Sequence, residues 1–444
     1  MIQTGLIQNA HSDLVTDASY DFYGLHLATC SLDQRIKIWQ LDESNGTWSV
    51  VDDWKAHDAA VSKLSWAHPE FGSIIASGSF DRTVKIWEQA SPMAQAESNV
   101  NGNNGAQPSS GPSNSRWIER AVLPDARGTV RSVEFAPHHF GLKLATIASD
   151  NHLRVYECLE QPSLTTWQMT EEIDVQSIPT AASPGFLSRT HSVALATPTQ
   201  TNATLDGASA SLVAQALQQG LQQGAGSTSQ RPGLGNREAD GGWCISWCKD
   251  RYWGEVIAAG SGTSGVIKII QLTPSRRPST ILTLDPSPSN TANTSSSASI
   301  NHMQAAEPDS RTQEKFSITS VAWAPSCGRS YHLIATGGRD GKVRIWKVKP
   351  GEESAEDVRE GESEEGRWTA SVVADFDQHK SAVGRVEWNI TGTVLSSAGN
   401  DGRIRLWKAT SGNVWRPAGS IGVEQTEEQD QSQHAENKDV DMES

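Results

Sequence analysis

Six short runs of β-type alternation recur along the chain, at 33–39, 81–87, 150–156, 265–270, 340–346 and 401–407. Five open on an aspartate (Asp33, Asp81, Asp150, Asp340, Asp401) and the weaker fourth opens on Gly265. They close on Trp39, Trp87, Tyr156, Ile270, Trp346 and Trp407. An earlier apolar–polar run ends on an aromatic residue in each unit: Tyr20, Trp66, Phe135, Trp247, Trp323 and Trp388. These precede the closing residues by 19, 21, 21, 23, 23 and 19 positions, so six units share one internal register. A unit of this size cannot bury its own apolar face and must stack on its neighbours.

The second unit shows the strand content best. Residues 61–66 alternate as a half-buried strand should, 74–79 form a small-residue strand, 83–87 a third and 117–123 an outer fourth. Four antiparallel strands closing on an aspartate-led turn and a tryptophan are the mark of a WD-type β-propeller blade. The sequence therefore predicts an all-β, six-bladed propeller with blades near 11–53, 57–123, 127–175, 241–284, 316–376 and 379–421. Long polar stretches at 91–115, 177–240, 285–312 and 351–366 are rich in Ser, Gly, Asn, Gln, Ala and Pro. They are expected to be disordered insertions, because such compositions bury too little apolar surface to offset chain entropy. Residues 208–223 carry Leu212, Ala216 and Leu221 at roughly helical spacing, with a glutamine-rich loop the stronger reading.

The net charge of −15 resolves into two places. Residues 351–366 hold eight acidic residues against one arginine, and 423–444 hold eight against one lysine, so the rest is near neutral. The second run reads as a disordered acidic tail from 422 onward. Acidic runs disfavour non-specific nucleic-acid binding, and no apolar run approaches the ~18 residues of a membrane span. Neither nucleic acid nor direct membrane insertion is expected. Five scattered cysteines point to reduced thiols, and Cys244 with Cys248 lacks the second ligand pair that zinc requires.

His57, Asp81, Trp87 and a serine (Ser77 or Ser79) resemble a Ser/His/Asp triad, but the set recurs as His11/Asp33/Trp39 and His379/Asp401/Trp407. Recurrence in separate blades identifies a structural brace of satisfied buried polar groups. Blades three, four and five lack the histidine and are expected to rely on apolar packing. Lys37, Lys85, Arg154, Lys268, Arg344 and Arg405 recur at one third-strand position and read as solvent-facing. No phosphate loop, zinc-protease motif or nucleophile elbow occurs, and the Gly-rich 260–265 segment reads as a turn between strands. The chain is not expected to be an enzyme or to hold a cofactor or metal.

Closed propellers are commonly locked by a terminal strand joining the blade of the other terminus. Here the last repeat is complete through an outer strand near 413–420, and only ten residues precede His11. Six whole blades either close on themselves or leave a gap between the first and the sixth. The faces of those two blades are then the candidate partner surface, since exposed apolar faces mark interaction sites and a partner can add strands.

Four stretches carry a family resemblance. They are Trp-Ala-His-Pro-Glu-Phe-Gly at 66–72 followed by Ser-Phe-Asp-Arg-Thr at 79–83, Phe-Ala-Pro-His-His-Phe-Gly-Leu-Lys-Leu-Ala-Thr at 135–146, Ala-Pro-Ser-Cys-Gly-Arg-Ser-Tyr-His at 324–332, and the last blade from Trp-Asn-Ile-Thr-Gly-Thr at 388–393 to Trp407–Lys408. The chain resembles the Seh-type WD-repeat nucleoporins of the Y-shaped nuclear pore scaffold over all six blades. The resemblance implies an open propeller whose seventh blade is supplied in trans by an α-solenoid scaffold nucleoporin. It also implies other Y-complex subunits as partners, a nuclear-envelope location and support of mRNA and protein transport. A coat-like complex at the vacuole or lysosome that regulates TORC1 nutrient signalling follows from the same resemblance. The alternatives are the sister propeller of the outer COPII coat, which shares the 66–72 stretch but not the Gly-Arg-Ser-Tyr-His run, and a WD-repeat adaptor that recruits peptides.

Overall fold

A computed structural model describes residues 7–90, 117–161, 163–178, 239–273, 276–286, 316–351, 368–412 and 414–422. Their strands form six four-stranded antiparallel sheets, each in sequence order from first strand to fourth. The first strands are Val15–Tyr20, Val61–Trp66, Val130–Phe135, Cys244–Trp247, Ile318–Trp323 and Val383–Trp388. Each ends on the aromatic that set the repeat register. They pack on one another from blade to blade and so line the axis, with the fourth strands outermost. The insertions at 91–115, 177–240, 285–312 and 351–366, the segment 208–223 and the acidic tail lie wholly or almost wholly outside the described residues.

The turn that opens each third strand explains the recurring aspartate. Its Oδ1 accepts the N–H two residues on, at 3.0 Å from Arg35, 2.9 Å from Thr83, 3.0 Å from His152, 3.1 Å from Lys342 and 3.2 Å from Arg403. This is an Asx turn, and it places the intervening residue in the left-handed region. Gln34, Arg82 and Asn151 adopt φ of 71°, 70° and 66° there, while Gly341 and Gly402 fill the same place in blades five and six. A bulge then recurs opposite the closing residue, as the fourth strand spends one extra position at Ile38/Trp39, Ile86/Trp87 and their counterparts.

Strand alternation decides which neighbour each side chain meets. In Ile74–Ser79, Ile74 and Ala76 face blade three while Ile75 faces blade one. The small residues here are needed because the next blade lies close. A Cβ on Gly78 would stand 2.7 Å from Cγ1 of Val130, and one on Gly337 would stand 2.6 Å from Cγ1 of Val383. Five apolar cores result among the described residues, shared by blades one and two, two and three, three and four, four and five, and five and six. None joins blade six to blade one.

Three readings change in detail. Arg154, Arg344 and Arg405 are buried rather than solvent-facing. In blades three and five the guanidinium turns back onto the aspartate of the turn. Arg154 pairs with Asp150 at 2.7 Å and Glu172 at 2.9 Å, and Arg344 with Asp340 at 2.9 Å. An arginine therefore stands in for the missing histidine in those two blades, where apolar packing alone was expected. The serine of the second blade's polar set is Ser77; Ser79 instead accepts the Asp81 N–H at 3.1 Å and donates to the Ala60 carbonyl at 2.9 Å.

Candidate functional site: the junction of the sixth and first blades

The structure brings each of the three predicted polar sets together. His57 lies 2.9 Å by Nδ1 from Asp81 and 2.7 Å by Nε2 from the Ser77 hydroxyl, which accepts the Trp87 indole N–H at 2.9 Å. His11, Asp33 and Trp39 meet in the same way around Thr29, at 2.9, 2.8 and 2.8 Å. His379, Asp401 and Trp407 meet around Ser397, at 3.1, 2.8 and 2.9 Å. One proton arrangement serves the sets of blades one and two: indole N–H to hydroxyl oxygen, hydroxyl O–H to Nε2, and Nδ1–H to carboxylate. In blade six Arg405 Nη1 also lies 2.6 Å from His379 Nδ1 and donates to Asp401 at 2.9 Å. Burial raises the Asp81 and Asp401 carboxyls, yet hydrogen bonds from His57 and Thr83 to the one and from His379, Arg405 and the Lys380 N–H to the other together outweigh it and hold both well below the usual range. Ser77 is fully buried with its proton and a lone pair committed, so its hydroxyl is not placed to attack a substrate.

The cleft between blades six and one is defined by comparing equivalent positions. In blades one to five, the two apolar third-strand residues that face the following blade are Ile36 and Ile38, Val84 and Ile86, Leu153 and Val155, Ile267 and Ile269, and Val343 and Ile345. All ten are at most 2% exposed. Their counterparts in blade six are Ile404, which is 44% exposed, and the half-buried Leu406. On the other flank, the first-strand positions Val61, Val130, Ile318 and Val383 are buried against the preceding blade, while Val15 is 49% exposed. Leu64, Val133, Ile245, Val321 and Val386 are likewise buried, and their counterpart Ala18 is exposed. Tyr20, at 5.8 Å ring to ring from Trp48, is exposed as well.

Polar ties between first strands tell the same story. At all five successive junctions a side-chain oxygen accepts a main-chain N–H of the next blade: Asp17 from Leu64 at 3.0 Å, Ser65 from Phe135 at 3.0 Å, Glu134 from Trp247 at 3.3 Å, Ser246 from Trp323 at 3.1 Å and Ser320 from Val386 at 3.0 Å. A second tie runs from a hydroxyl to the next blade's carbonyl, Thr16 to Val61 at 2.5 Å, Ser62 to Val130 at 2.7 Å and Thr319 to Val383. A third runs back from the first-strand indole, Trp66 to Ser19 at 2.9 Å, Trp247 to Glu134 at 3.1 Å and Trp388 to Ala322 at 3.0 Å. At the sixth–first junction Gly384 stands where the hydroxyl would be and Tyr20 where the indole would be. Arg385 alone reaches across among the described residues. It donates to the Asp17 carboxylate and, at 2.6 Å, to the Ala18 carbonyl.

Sequence reasoning pointed to the faces of blades one and six but named none of these residues. Aligning the six units by their first-strand aromatics sets Tyr20 beside four tryptophans and Gly384 beside Thr16, Ser62 and Thr319, but Phe135, Arg131 and Trp243 depart at the same two positions, so the alignment alone does not single the junction out. Among the described residues no group of three metal-ligating side chains occurs.

Residues 3–40, 48–88, 310–347 and 370–408 match the WD domain, G-beta repeat family. Over 94% of this chain and 99% of its own length, nucleoporin SEH1 of Saccharomyces cerevisiae is 32% identical. Nucleoporin SEH1 of Homo sapiens is 31% identical over 93% of this chain and 86% of its own length. Nucleoporin seh1 of Schizosaccharomyces pombe is 28% identical over 96% and 98%. With six blades of this register and similarity along nearly its whole length, the chain belongs to the SEH1 family of nucleoporins.

Proposed function

We propose that this protein is a structural scaffold subunit of the nuclear pore, and that the cleft between its sixth and first blades receives a seventh blade supplied in trans. The observation that carries the reading is the exposure of Ile404 beside ten buried counterparts. An apolar position buried in every other blade is unfinished here, and exposed apolar faces of this kind are completed by a partner. The donor is an α-solenoid nucleoporin of the Y-shaped complex, as the family resemblance implies. Main-chain pairing by added strands gives affinity, and the side chains facing Ile404, Leu406 and Val15 give selectivity. In this reading the His/Asp/Trp sets are braces that keep each blade rigid enough to present those faces, and support of mRNA and protein transport follows from membership of the scaffold.

Membership of a coat-like complex at the vacuole or lysosome, with a role in TORC1 signalling, rests on the same resemblance. One cleft accepts one blade, so a given molecule serves one assembly at a time. Coexpression with the α-solenoid scaffold nucleoporin of its own species tests the reading. A stable one-to-one complex on gel filtration, with higher solubility than the chain alone, is the expected result. Equal behaviour of the two preparations and no complex would refute it, and copurification from native extract names the donor.

A further inference from the structure

The five successive junctions use short side chains, mostly serine and threonine, to tie one first strand to the next. At the sixth–first junction those ties are missing among the described residues, and the crossing is made by Arg385, at the strand position from which Lys63 of blade two also reaches Asp17. Its Nη1 reaches the Asp17 carboxylate and the Ala18 carbonyl of blade one, while Nη2 pairs with Glu387 at 3.1 Å. Asp17 is a well-anchored acceptor. Its side chain is 2% exposed, accepts the Leu64 N–H at 3.0 Å and pairs with Lys63 at 3.0 Å, both of blade two. Burial alone raises the Asp17 carboxyl, but the charges of Lys63 and Arg385 outweigh it and hold it low, so it stays ionised. A buried carboxylate facing two cations is costly to separate from either one.

We propose that Arg385 is a clasp that sets the width of the cleft between blades six and one, with Asp17 as its fixed anchor. The clasp lies at the inner edge, where first strands meet the axis, and leaves the third-strand face around Ile404 uncovered among the described residues. Two blades hinged at their inner edges and free at their outer edges form a wedge-shaped opening. That is the shape a blade needs, since blades widen outward from the axis. Arg385 is in this sense a positioning residue: it touches blade one, and acts on an incoming blade through the spacing it fixes. This step rests on the cleft being a blade-receiving site.

Electron-spin distance measurements on the full chain test the clasp without any partner. Cys327, the exposed cysteine among the five, is first replaced by serine. Labels at Glu43→Cys and Ser411→Cys, in the exposed third-to-fourth hairpins of blades one and six, span the cleft; Glu43→Cys with Gln161→Cys in blade three is the reference. With Arg385→Met the 43–411 distribution is expected to broaden and shift longer, with the reference unchanged. Arg385→Lys, which keeps the charge but loses the fork, should fall between. Binding of the scaffold nucleoporin should weaken about tenfold in Arg385→Met. An unchanged 43–411 distribution in Arg385→Met overturns the clasp. Failure of the unmodified chain to bind the scaffold nucleoporin overturns the blade-receiving function instead, and the distance result still decides what Arg385 does.

Discussion

Ile36 and Ile404 occupy one repeat position, three residues after the turn aspartates Asp33 and Asp401, and differ only in what lies beyond them. Ile36 is fully buried in the core shared by blades one and two, whereas Ile404 is 44% exposed in the cleft. Ile36→Ala removes buried carbon atoms and leaves a cavity, which costs about 2–5 kcal/mol. Ile404→Ala removes the same atoms, at ~0.8 kcal/mol for each fully buried methylene, but roughly half of that surface already meets water. No cavity forms on an open face, so its cost in the chain alone is about 1 kcal/mol. Guanidinium unfolding of the matched variants should separate their midpoints in that order. With the scaffold nucleoporin bound, Ile404→Ala should lose a further ~1–2 kcal/mol of affinity, a factor of about 5–30. Equal losses of stability for the two variants in the isolated chain would refute the reasoning, because the cleft face would then be covered by the chain itself.

His332 is 3% exposed among Trp253, Trp323 and Trp368, and neither ring nitrogen has a hydrogen-bond partner among the described residues. Burial pushes its imidazole down to about 4; below the unfolded value near 6.5 the unfolded chain takes up a proton that the folded chain refuses. Stability present above pH 6.5 should therefore fall by about 3 kcal/mol as pH drops toward 4, and His332→Phe should flatten that slope in thermal melts across pH. Ser77→Ala leaves His57 Nε2 and Trp87 Nε1 without a partner, at about 1–3 kcal/mol each, while Ser77→Thr should stay near the parent because Thr29 fills that place in blade one. His57→Ala should likewise cost about 1–3 kcal/mol by orphaning the same network. Arg154→Met leaves Asp150 buried without its cation and should cost about 3–5 kcal/mol, against well under 1 kcal/mol for Lys85→Met at the matching, less buried position. Calorimetry on the pair decides it, and equal losses would mean the guanidinium is not braced.

What the sequence made legible is what repeats locally. The turn aspartate, the closing tryptophan and the histidine of blades one, two and six lie within one blade, and their spacing alone brings Asp33, His11 and Trp39 together. The burial of Arg154 and Arg344 was hidden by the same alternation that revealed the strands. A basic residue between two apolar ones reads as facing water, and only the lack of a histidine in those blades hints that the turn aspartate wants another partner. Ala126 stands where blade two has His57, directly before Arg127, whose N–H caps Asp150 at 2.9 Å. The clasp was beyond reach for a different reason. Arg385 and Asp17 are 368 residues apart, and nothing near either one says that the last blade returns to the first.

A chain of blades in which each contacts only its neighbours has a stability that sums unit terms and interface terms. Six blades in a closed ring would carry six interfaces, and the described residues build five apolar ones. Giving up one interface is tolerable because the terminal faces are modest: Ile404, Leu406, Val15 and Ala18 replace the fully buried pairs found elsewhere. A polar clasp suits that junction better than a core would. Apolar closure gains stability with every square ångström removed from water, and would pull the flanks together until no blade could enter. An ion pair at the inner edge is satisfied at one separation and gains nothing from further collapse. The junction thus ties the two end blades by a polar contact while leaving the apolar positions Ile404 and Val15 exposed.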